Sequence, residues 1–210
     1  KYPQGGERTL IYATTGREIN SSMLPADAGC VVDNVDTVVA VYKAVILGRP
    51  VMNRIVTVTG DAIASPKNFT VLTGTNMEEL IEAAGGLKTG AAKVISGGPM
   101  MGFAMFDLHV PCVKTTSAFL CLEKDAVSEA QKQMTACINC GRCVRVCPGR
   151  VLPARLATLA ERGDMAGFEK LNGMECCECG CCSYVCPAKR PLTQSIKSMR
   201  KMVLASRRKK

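Results

Sequence analysis

The sequence predicts an α+β protein whose chemistry sits in a cysteine-organised helical domain near its C-terminus. Three observations carry that reading. β-branched runs alternate with helix signals through the first half of the chain. Most of the 13 Cys among 210 residues fall in two tight runs between Cys137 and Cys186. Apolar residues at helical spacing separate those runs.

The elements follow in order. Asn34–Gly48 reads as a helix, with Asn34 or Asp36 able to cap its start, and Gly48 followed by Pro50 to end it. Arg54–Gly60, Arg-Ile-Val-Thr-Val-Thr-Gly, suits a strand. Pro66–Asn68 reads as a turn and Phe69–Leu72 as a second strand. Thr75-Asn76-Met77-Glu78 fits a capping box in which the Thr75 oxygen accepts the Glu78 N–H. Leu80, Ile81 and Ala84 then form the apolar face of a short helix that Gly85-Gly86 stops. Lys93–Ser96 is a third strand. Strand, strand, helix, strand is the order of a small β-grasp unit. Gly97–Gly102 is read as a loop, and Val113–Lys132 as a connection holding a candidate strand at Ala118–Leu122. Leu152, Leu156, Leu159 and Ala160 predict a helix between the two cysteine runs.

Composition narrows the function classes. Hydrophobic residues make up 47% of the chain, enough for a core, while aromatics at 4% and no Trp leave little for base stacking. The net charge of +9 is local: from Lys189 onward there are nine Lys and Arg and no acid, and the remaining eighteen basic residues match the 18 acidic ones. That balance gives no reason to expect a nucleic-acid partner. The most apolar stretch, Val38–Leu47, is interrupted by Lys43 and is shorter than the roughly 20 residues a membrane span takes. The opening at Lys1 reads mid-domain, as a piece of a longer chain, and thiols in such number fit the reducing cytosol.

The runs themselves are Cys137-Ile-Asn-Cys140-Gly-Arg-Cys143-Val-Arg-Val-Cys147-Pro148 and Cys176-Cys-Glu-Cys179-Gly-Cys-Cys182-Ser-Tyr-Val-Cys186-Pro187. Each contains three thiolates two residues apart, then a fourth followed by Pro. This is the bacterial pattern for [4Fe–4S] cubes, in which the fourth Cys ligates the other cluster. It assigns Cys137, Cys140, Cys143 and Cys186 to one cluster, and Cys176, Cys179, Cys182 and Cys147 to a second. Two zinc sites, which use separated pairs of ligands, fit this spacing poorly. Cys177 and Cys181 are out of register. Cys30, Cys112 and Cys121 read as buried free thiols, and His109, the single histidine, is given no role.

The double motif, the phrase Glu178-Cys-Gly-Cys-Cys-Ser-Tyr-Val-Cys-Pro-Ala188, the segment Val56–Gly60, the loop Gly97–Gly102 and the opening Lys1-Tyr-Pro-Gln-Gly-Gly-Glu7 together resemble the C subunit of the Rnf electron transport complex. That family couples ferredoxin and NAD⁺ to ion translocation in prokaryotic membranes. Its C subunit is related to the flavoprotein of respiratory complex I. The resemblance implies a flavoprotein α/β domain ending at residues 1–52, a soluble-ligand-binding β-grasp domain at 53–112, a connection at 113–133, a ferredoxin-like double-cluster domain at 134–191 and a basic amphipathic tail at 192–210. It implies FMN and NAD(H) as cofactors of the full-length protein, with Glu7 and Asn34 near the flavin and nicotinamide. A chain of this extent alone is then not expected to oxidise NADH.

The resemblance also implies partners: other subunits of a membrane electron-transport complex, ferredoxin and an anionic membrane surface. The place would be peripheral, on the cytoplasmic side of the inner membrane. A cobalamin reductase of a microcompartment shares the layout and is the alternative. A docking module with purely structural clusters is a third reading. Finally, Leu192, Ile196, Met199 and Val203 recur at i, i+4, i+7 and i+11, which predicts an amphipathic helix free to dock on a partner or membrane, its charge extended by Arg207–Lys210.

Overall fold

The computed structural model describes residues 1–88 and 90–208; Thr89 and the last two lysines of the basic tail, Lys209 and Lys210, lie outside them. The helices are α1 (Glu7–Thr15), α2 (Val35–Leu47), α3 (Met77–Ala83), α4 (Ala126–Lys132), α5 (Arg142–Arg145), α6 (Pro153–Glu161), α7 (Met165–Lys170), α8 (Cys181–Tyr184) and α9 (Leu192–Arg208). The strands are β1 (Asn53–Thr59), β2 (Lys67–Leu72), β3 (Lys93–Ser96), β4 (Phe103–Ala104) and β5 (Ala118–Leu122). The chain divides into two units: Asp33–Val127, and Lys1–Val32 together with the segment from Ser128 onward.

The Asp33–Val127 unit holds one sheet in the order β2-β1-β5-β3-β4. β1 and β2 are antiparallel, while β1 and β5 run parallel. α3 supplies Met77, Leu80 and Ile81 to a core with Val56, Val58, Phe119 and Cys121. This is the expected β-grasp arrangement, and three details differ from the sequence reading. Ala118–Leu122 forms the expected strand, but it is the central strand of the sheet and not part of a connection. Its alternating Phe119 and Cys121 are buried in the core, which is the pattern a central strand needs. Lys67 and Asn68 belong to β2 and not to a turn, since they pair with Val58 and Thr57. The cap of α3 is Asn76 and not Thr75: the Glu78 N–H donates to Asn76 Oδ1 at 3.0 Å. Thr75 is engaged instead through its backbone, whose carbonyl accepts from the Cys112 N–H at 2.7 Å.

Two positions in this unit define its tolerance. Gly60 ends β1 at φ +122°, and a Cβ there would lie 1.9 Å from the Cys121 carbonyl oxygen. Gly60→Ala is therefore expected to cost about 3 kcal/mol or more, from the strained conformation and the clash together. Chemical denaturation would read it, and a loss below about 1 kcal/mol would mean that β1 and β5 separate easily. α2 is capped as expected: Asn34 Oδ1 accepts from the Asp36 N–H at 2.9 Å, and Gly48 ends the helix in the left-handed region. None of its residues is buried, and Val45 and Ile46 stay 74% and 64% exposed.

In the other unit, α6 and α9 pack on each other and on α7. Leu156, Phe168, Met174, Ile196, Met199 and Val203 form its main core. The apolar stripe of the C-terminal helix is therefore used inside the protein. The expected docking role of that stripe fails because Leu192, Ile196, Met199 and Val203 are all at most 2% exposed. Its basic face is also largely engaged: Arg200 and Lys197 pair with Glu178, and Arg207 pairs with Glu169 at 2.6 Å.

Candidate metal centres

The two cysteine runs share one backbone plan. Asn139 and Glu178 occupy the position before the second Cys of each run at φ 55° and 57°. Gly141 and Gly180 follow that Cys at φ 70° and 84° and open the short helices α5 and α8. Arg150 and Lys189 close the runs at φ 49° and 54°. The same offset separates every pair, and it also relates the starts of α6 and α9. Repeated left-handed turns curl each run so that its thiols face inward, and the short helix then carries the fourth Cys out of the loop.

That exit decides the geometry. One cavity of about 150 Å³ is lined by Cys137, Cys140, Cys143 and Cys186, with Ala154 and Leu192 from α6 and α9 behind them. A second, smaller cavity is lined by Cys147, Cys176, Cys177, Cys179 and Cys182, with Thr193 and Ile196 from α9. In both, the last Cys of one run meets the thiols of the other: Cys186 joins Cys137, Cys140 and Cys143, and Cys147 joins the second run. No group of three or more His, Cys, Asp or Glu side chains among the described residues closes on a single-ion position. Thiols from both runs around each cavity, with no His or carboxylate among them, fit the donor set of a [4Fe–4S] cube.

The thiols of the second cavity differ from one another. Burial pushes the Cys176 and Cys182 thiols up, even though Cys182 has a hydrogen-bond partner in the Thr193 hydroxyl at 3.2 Å. Cys177 donates to Cys179, which raises the Cys177 thiol and lowers the Cys179 thiol. Cys177 is exposed, and Cys181 is half-buried without lining this cavity. Cys177→Ser and Cys181→Ser are each expected to leave the iron content unchanged, and loss of a cube in either variant would shift the ligand register. Of the three isolated cysteines, Cys112 and Cys121 are buried as expected and their thiols are pushed up by burial, whereas Cys30 is only partly buried.

The first thirty residues reach this centre. The Tyr2 hydroxyl donates to the Cys179 carbonyl at 2.5 Å. Glu175, immediately before Cys176, accepts from the Ser21 hydroxyl at 2.5 Å and from Arg8 at 2.9 Å. Burial opposes its charge, yet these bonds hold its carboxyl below the usual carboxylate range. Because the folded value is depressed, the tether contributes fully above the ordinary Glu range and is lost as pH falls through the folded value. Limited proteolysis of the 1–32 segment should therefore accelerate in acid, and Glu175→Gln should flatten that dependence. An identical acid profile in the variant would assign the effect elsewhere. Glu7 opens α1 in this unit and is exposed, while Asn34 caps α2 in the other. Sequence reasoning had no signal for Arg8, Ser21 or Glu175, whose pairing spans most of the chain.

Comparison with known proteins agrees with this layout. Residues 136–189 match the model of a 4Fe-4S dicluster domain, 55–104 that of an SLBB domain and 1–43 that of the Nuo51 FMN-binding domain. The C subunit of the Na(+)-translocating ferredoxin:NAD(+) oxidoreductase complex of Acetobacterium woodii is 45% identical over 100% of the chain and 47% of its own length. This chain belongs with the Rnf-type C subunits. The proton-translocating counterpart of Clostridium ljungdahlii is 44% identical over 95% of the chain and 44% of its own length. The C subunit of the ion-translocating oxidoreductase complex of Pseudomonas aeruginosa is 46% identical over 74% of the chain and 20% of its own length. The Rnf-type chain described here thus spans about half the length of these relatives, or less. No helix among its described residues is long and apolar enough to cross a membrane.

Proposed function

We propose that this chain is the electron-relaying part of the C subunit of a membrane-bound, ion-translocating ferredoxin:NAD⁺ oxidoreductase. The observation that carries the reading is the pair of cavities, in each of which the last Cys of one run meets the thiols of the other. Cys137, Cys140, Cys143 and Cys186 hold one cube, and Cys176, Cys179, Cys182 and Cys147 the other. Crossed ligation ties the two cubes into one rigid body, so electrons pass singly between centres that do not move apart.

In the whole protein, FMN supplies the exchange between hydride from nicotinamide and single electrons. Glu7, at the start of α1, and Asn34, at the cap of α2, are the residues here assigned to flavin and nicotinamide binding in that protein. The names of the relatives favour this reading over a cobalamin reductase. Other subunits of the complex and ferredoxin are the partners, and the position is peripheral on the cytoplasmic side of the inner membrane. An anionic membrane face would meet the exposed Lys201 and Arg208.

The test is electron uptake. Cluster-loaded protein mixed anaerobically with reduced ferredoxin should take up about two electrons per chain, one per cube. Intact clusters that ferredoxin and dithionite both fail to reduce would instead support the structural, docking-module reading. Deleting Ser206–Lys210 should weaken retention on anionic vesicles at low salt, where each exposed basic group contributes on the order of 1 kcal/mol. Retention unchanged by truncation and salt would remove the membrane surface from the partners.

A further inference from the structure

α9 does more than close the core. Thr193, Ile196 and Arg200 recur at i, i+3 and i+7, one stripe of the helix, and the first two line the second cavity. Arg200 continues that stripe beside the loop holding Cys176 and Cys179. There its Nη1 donates to Glu178, whose own N–H points at Cys176 Sγ at 3.4 Å. The side chain is only 18% exposed, and its Nε is fully buried with no hydrogen-bond partner among the described residues. A buried donor without an acceptor costs about 1–3 kcal/mol, so such an atom in a well-packed core calls for a partner. Protein atoms do not supply one.

We propose that Arg200 sets the reduction potential of the second cluster by giving its buried Nε–H to the sulfur shell beside Cys176, with the Glu178 carboxylate holding the guanidinium in place. The inference rests on the two-cluster reading above. Reduction adds one negative charge to the cube, and hydrogen bonds to its sulfurs together with local charge are the levers that set its potential. A buried guanidinium favours the reduced state and raises the potential. Glu178 sits at φ 57°, as Asn139 does in the other run at φ 55°, and its carboxylate pairs with both Arg200 and Lys197. Arg200 is thus a positioning and tuning residue and not a ligand.

The experiment is an EPR-monitored redox titration of cluster-loaded protein carrying Arg200→Gln, Arg200→Lys or Lys201→Gln. Iron and EPR of the unsubstituted protein first establish the two cubes, so failure of that reading shows before any variant is compared. With full iron content, Arg200→Gln should make the second cluster about tenfold harder to reduce, a downward shift of about 59 mV for one electron. Arg200→Lys, which keeps the charge but lacks Nε, should shift it by less, and Lys201→Gln on the exposed side of the same helix should not shift it. If Arg200→Gln loses the cluster, Arg200→Lys decides: a lowered potential supports the proposal and an unchanged one overturns it. An unchanged potential in a fully loaded Arg200→Gln protein overturns it, as does loss of iron in both Arg200 variants, which would mark a purely structural role.

Discussion

Replacing Cys147 by alanine is expected to destroy the cluster held by Cys176, Cys179 and Cys182 and to spare the one held by its neighbours Cys137, Cys140 and Cys143. The reason is geometric: Cys147 lines the cavity of the second run, and Cys186 lines that of the first. A cube with three thiolates and an alanine is open to solvent at its fourth iron. Iron should fall from about eight to about four per chain, and the reciprocal Cys186→Ala should remove the other half. Paired with Cys176→Ala, the Cys147 variant should show no further loss, because both substitutions strike one cube. Additive loss in that double variant would mean that each run holds its own cluster.

The second large effect lies in α9. Ile196 is fully buried, sits in the main core of its unit and lines the second cavity. Ile196→Asp would put a carboxylate into that apolar core, at a cost of several kcal/mol, comparable to the whole stability of many domains. The variant is expected to be recovered without clusters, and near-ultraviolet circular dichroism should show lost tertiary packing. Ile196→Val, which removes one methylene, should cost only about 1 kcal/mol and retain both clusters. A fully loaded Ile196→Asp protein would mean that the helix is dispensable to the centre.

These two effects bracket what the sequence could reveal. The gathering of the cysteines around two cavities was legible because their spacing is a local pattern, repeated in each run. Strand Ala118–Leu122 was legible as a strand, but its place at the centre of the sheet was not, because parallel pairing with β1 is non-local. The stripe on α9 was read correctly and given the wrong neighbour. Periodicity shows that a face is buried and says nothing about what buries it; here α6 and α7 do. Thr75 and Asn76 compete for one cap, and the backbone bond from Cys112 settles the choice from a distance. Arg200 and Glu178 were invisible as a pair, since ordinary surface ion pairs have the same composition. What distinguishes them is an orphaned, buried Nε, which only coordinates reveal.

That the chain holds two [4Fe–4S] cubes is tested most directly by iron and sulfide analysis of anaerobically purified protein, joined to EPR after stepwise reduction with dithionite. About eight iron per chain and two reducible centres, whose signals broaden through mutual coupling when both are reduced, are the expected result. Stoichiometric zinc with no signal on reduction would contradict it.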